Sequence, residues 1–243
     1  DFTKMYADIS INPVKQNVTG FVKYHFDLKE PLDTIRIDAR KMEFSEVKIN
    51  GNPVKFKATD REFLLFEGYE KGENLLEFNY EAFPTQAMYF VQKDNYQDVQ
   101  VWTQGQGHNT SNWLPSFDDV NEKLVFNLSV TFHKDYTVLA NGVLTEKIEN
   151  QGVITWRYQM EKPMSSYLVM LAIGKFEKQT FTSDSGILNE LYYHYSDADK
   201  FEPTYRYSKE IFDYLEKEIG VPYPWQVYRQ VPVWDFLYGG MEN

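Results

Sequence analysis

Length, composition and charge set the first limits on this chain. Its 243 residues suffice for one large or two modest domains with a substantial core. The formal net charge of -11 and the absence of a basic run argue against nucleic acid or anionic lipid as a partner. No stretch reaches the roughly 18 apolar residues of a membrane span. Zero cysteines exclude disulfides and thiolate metal ligands.

The start of the chain leaves its compartment open. The residues DFTKMYADIS lack the basic and apolar regions of a signal peptide. Because the chain begins at Asp1 rather than Met, an upstream leader that has been removed is compatible with the sequence. We therefore expect a soluble chain, and both a cytoplasmic and an exported location stay open.

Alternating apolar and polar residues dominate from about residue 10 to 180, and 18 Tyr, 18 Phe and 5 Trp add to the β propensity. The stretches GFVKYHFDL, LVFNLSVTFH and ITWRYQM each predict a strand with one apolar face, and YLVMLAIG is typical of a strand covered on both sides. Asn50-Gly51 and Asn141-Gly142 are typical of tight hairpin turns. The sequence predicts a mainly β fold, an antiparallel sandwich or saddle. The predicted inward-facing residues are Val22, Tyr24, Phe26, Leu28, Leu124, Phe126, Leu128, Val130, Phe132, Ile154, Trp156, Tyr158 and Met160.

The pattern changes near residue 184. The strand-like ILNELYYHY leads into SDADKFEPTYRYSKEIFDYLEKEIG, where apolar residues recur every three or four positions. This spacing predicts one amphipathic helix, which ends at Gly220 before a further strand. We place a domain boundary here, with an N-terminal β domain at 1–184. Residues 185–243 are too few for an independent core and predict the truncated start, strand, helix and strand, of a larger α+β domain.

Two segments are typical of neither strand nor turn. One is VWTQGQGHNTSNWLPSFDD, residues 101–119, a polar loop with the apolar anchors Trp113, Leu114 and Phe117. Such a loop is either a solvated surface or the wall of a binding site. The other is the terminal GGMEN. In isolation its glycines are typical of a strand-end turn, and Glu242 of a surface acid.

Together the two segments resemble the aminopeptidase N family of zinc metallopeptidases, the gluzincin aminopeptidases. TQGQ followed by WLPSFDD is similar to the family's T-Q-x-E/Q and W/F-x-P-x-x-D stretch, and GGMEN to its G-x-M-E-N motif. The resemblance covers nearly the whole chain. It implies an N-terminal β-saddle domain followed by the first part of a thermolysin-like catalytic domain. We call the longer protein the parent.

The chemistry of Glu242 follows from the task of an exopeptidase, which must recognise a free α-ammonium group. A carboxylate in a partly dry cleft does so through a charge-assisted hydrogen bond worth roughly 1.5 to 3 kcal/mol. Gly239 and Gly240 leave the backbone open to an extended peptide. The resemblance implies that Gln104 and Gln106 line the first specificity pocket and help to hold the amine. The predicted substrate-binding residues are Gln104, Gln106, Gly239, Gly240, Met241, Glu242 and Asn243.

One of these positions departs from the commoner family pattern. Many members have Glu where this chain has Gln106, which is similar to the leukotriene hydrolase branch, whose members combine aminopeptidase and epoxide hydrolase activities. A neutral amide keeps a hydrogen bond but removes one charge, so more of the ammonium recognition is expected from Glu242. The paired Asp118 and Asp119 resemble a catalytic carboxylate pair, but we favour a role in bracing the loop.

The family's zinc motif, H-E-x-x-H with a later Glu ligand, has no counterpart in this chain. No two of the four histidines, His25, His108, His133 and His194, lie within one helical turn of each other. The resemblance places the zinc motif beyond Asn243. We therefore expect zinc in the parent, and no metal site and no catalytic residue in this chain.

The leading hypothesis is the N-terminal part of a zinc aminopeptidase that removes N-terminal residues from peptides, inactive as an isolated piece. Its expected partners are peptides with a free N-terminus and the rest of its own catalytic domain. One alternative is a fragment of a catalytically inactive scaffold relative. The other is a β-sandwich module that binds carbohydrate or protein, which predicts exposed, coplanar aromatic side chains.

Overall fold

Strands form most of the regular structure. The computed structural model describes residues 1–93 and 98–243, and within them the chain forms 19 strands, two α-helices and three short 3-10 helices. The helices are α1 (Ala198–Tyr205) and α2 (Ser208–Ile219), with 3-10 turns at Thr110–Asn112, Ser166–Leu168 and Tyr195–Asp197. The strands are β1 (Phe2–Asn12), β2 (Asn17–Leu28), β3 (Ile35–Asp38), β4 (Met42–Ile49), β5 (Asn52–Pro53), β6 (Phe56–Ala58), β7 (Glu62–Leu65), β8 (Gly72–Ala82), β9 (Met88–Gln92), β10 (Val99–Thr103), β11 (Lys123–His133), β12 (Thr137–Ala140), β13 (Val143–Asn150), β14 (Val153–Gln159), β15 (Met164–Ser165), β16 (Leu171–Gly174), β17 (Phe176–Thr182), β18 (Leu188–His194) and β19 (Val227–Gln230).

A nine-stranded sheet in the described chain forms one wall of the core. Its order is β13-β14-β11-β1-β2-β8-β4-β5, with β15 beside β11. All neighbours are antiparallel except β1 and β11. The predicted inward faces are confirmed except at Leu28, which is only partly buried, since side chains at alternate positions of β2, β11 and β14 are buried, among them Tyr24, Phe126 and Trp156.

Two smaller sheets share the core with the large one. They are the four-stranded β12-β16-β10-β9 and the three-stranded β3-β7-β6. The ring of Phe63 on β7 lies 5.1 Å from that of Phe78 on β8, and the hydroxyl of Tyr158 on β14 donates to the carbonyl of Val138 on β12 at 2.7 Å. One buried cluster spans all three sheets. The mainly β, largely antiparallel architecture predicted from the sequence is confirmed.

One of the two predicted hairpin turns is confirmed and the other is wrong. Asn50 and Gly51 have φ angles of 51° and 79° and join β4 to β5. Asn141-Gly142 does not close a hairpin, because β12 pairs with β16 and β13 pairs with β14. The side chain of Asn141 instead donates to the Leu168 carbonyl and accepts from the Met170 amide, at 3.0 and 2.8 Å. The connection carries the chain from one sheet to another.

The third small sheet has the order β17-β18-β19, with β18 antiparallel to β17 and parallel to β19. The prediction of one helix between β18 and β19 is wrong, since α1 and α2 are separate. Tyr207 has φ -104° and ψ 8°, outside helical geometry, one turn after Pro203, which has no backbone N–H. The spacing of apolar residues continues across this break, so the sequence pattern did not reveal the break. Gly220 ends α2, as predicted.

The domain division at residue 184 stays a prediction. Residue 184 lies in the connection between β17 and β18, which pair with each other along their length. None of the helices in the described residues is long and apolar enough to cross a membrane.

Candidate functional site

The polar loop after β10 is anchored by the three predicted apolar side chains. Trp113 and Leu114 are fully buried, and Phe117 is nearly so. A Cβ at Gly105 would lie 2.4 Å from the Thr110 hydroxyl oxygen and 2.7 Å from the Tyr167 carbonyl oxygen. Packing therefore requires glycine at position 105, and the loop has a defined path.

Asp118 braces this loop, as predicted. The Ser111 hydroxyl donates to Asp118 Oδ2 at 2.5 Å, and the Asp118 amide donates to Asp38 Oδ2 at 2.8 Å. Burial raises the pKa of Asp38, and the nearby Asp118 charge raises it further, against the lowering effects of the Asp118 amide and Arg40. Asp119 accepts hydrogen bonds from the backbone and side chain of Asn121. The two aspartates therefore serve the local fold.

The terminal segment, residues 234–243, lies against β10. The Trp234 amide donates to Gln100 Oε1 at 2.7 Å, and Trp102 Nε1 donates to the Trp234 carbonyl at 3.0 Å. The ring of Phe236 lies 5.3 Å from that of Trp102. These contacts bring the GGMEN residues to the end of β10, where Gln104 follows.

Three of the predicted site residues meet here. Gln104 Nε2 lies 3.4 Å from Gln106 Oε1 and 4.0 Å from Met241 Sδ. Gln104 is buried, whereas Gln106 is exposed at the rim. The loop and the terminal segment are thus side by side, although Gln104 and Met241 are 137 positions apart.

The remaining predicted residues border the same place without being packed into it. The side-chain Nδ2 of Asn243 donates to the Leu168 carbonyl at 3.4 Å, and the Glu242 side chain is exposed. A Cβ added at Gly239 or Gly240 would meet no atom within 4 Å, and neither glycine has a positive φ. Open space therefore lies beside the backbone of both glycines.

Sequence reasoning missed the residues that hold the terminal segment in place. Trp102 was assigned to the polar loop, residues 101–119, which is wrong for its first three residues because they belong to β10. Gln100 and Trp234 were not singled out. His194, predicted as a strand residue and not a ligand, is almost fully buried, and its Nε2 lies 3.0 Å from Asp98 Oδ2. No local sequence pattern marks this pair, because its two residues are 96 positions apart.

The described residues do not form a binding site for the zinc ion that the resemblance implies. Within residues 1–93 and 98–243, no three His, Asp or Glu side chains are grouped so as to hold a metal ion. His108 Nδ1 lies 2.6 Å from the Asp118 carbonyl oxygen, and His133 Nδ1 lies 3.6 Å from Asp135 Oδ2. No chemical step is therefore assigned to a metal in this chain.

Comparison with known proteins matches residues 3–168 to the peptidase M1 N-terminal domain. The chain belongs to the peptidase M1 family. This confirms the resemblance to aminopeptidase N. Among relatives, the M1 chain is 28% identical to aminopeptidase N of Lactobacillus delbrueckii subsp. lactis over 253 residues, which covers 100% of this chain and 29% of the relative. It is 25% identical to leucyl aminopeptidase of Saccharolobus solfataricus, over 92% of this chain and 28% of that enzyme.

Solved structures share the fold of this M1 chain. A mutant M1 zinc metallopeptidase from Deinococcus radiodurans matches with a TM-score of 0.79 and 19% identity, covering 94% of this chain and 55% of that one. The same mutant bound to a Tyr-Ser-Ala substrate matches with a TM-score of 0.77 and 18% identity. The M1 chain spans less than a third of the two curated relatives described above.

Proposed function

We propose that this chain supplies the substrate-amine wall of a zinc-dependent aminopeptidase that removes N-terminal residues from peptides. The observation that carries the proposal is the contact of Gln104 with both Gln106 and Met241, which joins the loop to the GGMEN segment. Aminopeptidases among the relatives support the same reaction class. In this proposal residues 1–184 cap the cleft, and residues 185–243 begin the catalytic domain.

Recognition of the free amine rests on charge and hydrogen bonding. The exposed Glu242 carboxylate accepts from the α-ammonium group of the substrate, and the side-chain oxygen of Gln106 supplies a neutral acceptor nearby. Because Gln106 carries no charge, Glu242 provides most of the electrostatic attraction. An N-acetylated peptide has no ammonium group and loses this interaction.

The backbone at Gly239 and Gly240 holds the peptide itself. The space where their side chains would lie is open, so an extended peptide can approach the main chain and pair with it as an added strand. Met241, in contact with Gln104, forms an apolar part of the same wall. The substrate class that follows is an extended peptide with an unblocked N-terminus.

Hydrolysis itself is assigned to the rest of the parent. The described residues offer no set of zinc ligands, and we propose that the zinc site is formed by residues that follow position 243. On this proposal the 243-residue chain alone neither binds zinc stoichiometrically nor turns over aminoacyl-arylamides. A parent that also lacks zinc and turnover would favour the inactive scaffold instead.

The test of amine recognition is Glu242→Gln in the parent. We expect kcat/KM for peptides with a free N-terminus to fall about 10- to 150-fold, which corresponds to the loss of about 1.5–3 kcal/mol of a charge-assisted hydrogen bond. Cleavage of N-acetylated peptides, weak in both proteins, is expected to stay unchanged.

The matched control is Glu30→Gln, which neutralises an exposed glutamate in the connection between β2 and β3. Its kinetics are expected to equal those of the unmodified parent. An equal fall in both variants, or no fall in Glu242→Gln, would remove Glu242 from the amine site.

Four buried aromatic side chains count against the carbohydrate-binding alternative. It predicted exposed, coplanar aromatic side chains, but Tyr24, Phe26, Trp156 and Tyr158 are buried in the core.

A further inference from the structure

A buried Asp–His hydrogen bond joins the two parts of the chain that lead into the proposed amine site. Asp98 Oδ2 lies 3.0 Å from His194 Nε2, and the two side chains are 1% and 2% exposed. Asp98 directly precedes β10, the strand that ends before Gln104, whereas His194 is the last residue of β18. The pair thus connects the loop-bearing strand to the sheet that precedes the terminal segment.

The His194 ring is held from several directions. Its Nδ1 accepts the Ser196 backbone N–H at 3.3 Å and lies 2.7 Å from the Ser196 hydroxyl oxygen. The ring centroid is 4.9 Å from that of Trp234. With an acceptor at one nitrogen and donors at the other, the ring has a fixed orientation, and Trp234 packs against it.

The contacts of β10 with the terminal segment follow a two-residue period. Gln100 and Trp102 lie in β10, and Asp98 and Gln104 flank it; these alternate residues project to the same side of the extended chain. Asp98 contacts His194, and Gln100 accepts from the Trp234 amide. Trp102 donates to the Trp234 carbonyl and packs against Phe236. Gln104 contacts Met241. One face of one strand therefore sets the register of the terminal segment from Trp234 to Met241.

We infer that Asp98 and His194 form a positioning pair that fixes the register of the terminal segment, and hence the place of Glu242, which follows the Met241 that contacts Gln104. The inference rests on the proposed function of those residues. The acceptor for the buried His194 Nε2–H is lost when Asp98 is removed, which is unfavourable for a buried donor, so His194 and the packed Trp234 are expected to move. The shift passes along the segment to Glu242, and displacements of about 1 Å suffice to weaken catalysis.

The distances among Asp98, His194 and Ser196 also resemble those of a serine-hydrolase triad. Ser196 lies only two residues after His194, and its backbone N–H donates to the same ring nitrogen, which caps the 3-10 helix Tyr195–Asp197. This arrangement is typical of a structural cap. Labelling of Ser196 by a fluorophosphonate would overturn the positioning assignment in favour of a nucleophile.

The kinetic test compares three variants of the parent. Asp98→Ala is expected to lower kcat/KM for free-N-terminus peptides about 10- to 100-fold, with the larger share in KM. Asp98→Asn keeps an oxygen that accepts from His194 and is expected to recover most of this loss. Glu190→Gln breaks the ion pairs of the buried Glu190 with Lys178 and Arg229, and is expected to lower Tm but leave KM unchanged. Equal KM values for Asp98→Ala and Glu190→Gln would overturn the inference.

A second measurement does not depend on activity. Hydrogen exchange of the parent is expected to be faster at residues 234–243 in Asp98→Ala and unchanged there in Glu190→Gln. Unchanged exchange in Asp98→Ala would contradict the positioning role. If the unmodified parent cleaves no peptide, the proposed function fails, while the exchange experiment still decides whether Asp98 holds the segment.

Discussion

The glycines at positions 105 and 142 differ in role from those at 239 and 240. At Gly105 and Gly142 an added Cβ would lie 2.4 and 2.2 Å from neighbouring atoms of the chain, so packing within the protein requires glycine there. At Gly239 and Gly240 an added Cβ would meet nothing within 4 Å. The described chain gives no steric reason for those two glycines, which agrees with the proposal that the space beside them belongs to a substrate.

A substitution at the residue scale separates the two roles. Gly240→Ala is expected to change the free energy of unfolding by no more than about 0.5 kcal/mol, because its φ is not positive and the space is open. In the parent it is expected to raise KM for peptides, because the methyl group occupies the peptide's place. Gly105→Ala is the matched control, expected to destabilise by about 1–3 kcal/mol. Urea denaturation measures the change in stability, and steady-state kinetics measure the change in KM. An unchanged KM in Gly240→Ala would count against the proposal that a peptide lies beside this backbone.

At the scale of the elements, strands and helices differ in how well their patterns reveal them. The strands β2, β11 and β14 each have one buried face, so a period of two shows the face directly. In α1 and α2 the apolar spacing runs through the break at Tyr207, because Tyr205 and Phe212 both face the third small sheet. The Tyr205 hydroxyl donates to the Tyr192 carbonyl at 2.9 Å, and burial raises its pKa to about 12.

The end of α2 offers a test at this scale. Gly220 has φ 72°, and a Cβ there would meet no atom within 4 Å. Gly220→Ala is therefore expected to cost about 1 kcal/mol through backbone strain alone, without a steric clash. Urea denaturation measures this loss. Gly220→Asn, which adopts left-handed geometry more readily, is expected to lose less; equal losses would show that backbone conformation is not the cause.

At the scale of the whole molecule, a buried charge cluster connects the third small sheet to the others. Arg229 on β19 donates to Glu190 Oε2 at 2.6 Å and to the carbonyls of Gly142 and Ala140 at 2.7 and 3.2 Å. Lys178 forms a second ion pair with Glu190. Burial by itself raises the pKa of Glu190, but Lys178 and Arg229 outweigh it and lower the pKa below its ordinary value of 4.5.

Removal of the Glu190 charge is expected to weaken the connection between the third small sheet and the other sheets. Glu190→Gln leaves Arg229 without its ionic partner and is expected to lower the free energy of unfolding by about 3–5 kcal/mol at pH 7. Because the folded-state pKa of Glu190 is depressed, its stabilising effect is complete above about pH 4.5 and is lost as the pH falls through the folded-state value. Urea denaturation from pH 7 down to pH 3 is expected to show the two proteins converging at low pH.

The control for this experiment is Glu146→Gln, which removes an ion pair with Arg157 whose two side chains are each 49% exposed. Such surface pairs contribute at most about 1 kcal/mol. A loss in Glu190→Gln as small as that of the control, or one that does not change with pH, would contradict the role given to the cluster.

Much of the fold was predictable because it depends on short-range patterns. The buried faces of β2, β11 and β14, the turn at Asn50-Gly51, and the anchors Trp113 and Leu114 all follow from residues close together in the chain. The same holds for the family resemblance, carried by two short motifs. The turn wrongly predicted at Asn141-Gly142 shows the limit, since a turn sequence does not tell which strands it joins.

The sequence by itself determined the fold class, the family and the residue types of the proposed amine site. Only the tertiary structure decided that Gln104 and Met241 meet, that one face of β10 holds Trp234, and that Asp98 pairs with His194. Periodicity reports which way a side chain faces, because that depends on local backbone geometry. It does not report which residue lies opposite, because partners 96 to 137 positions apart are brought together by the order of strands across several sheets.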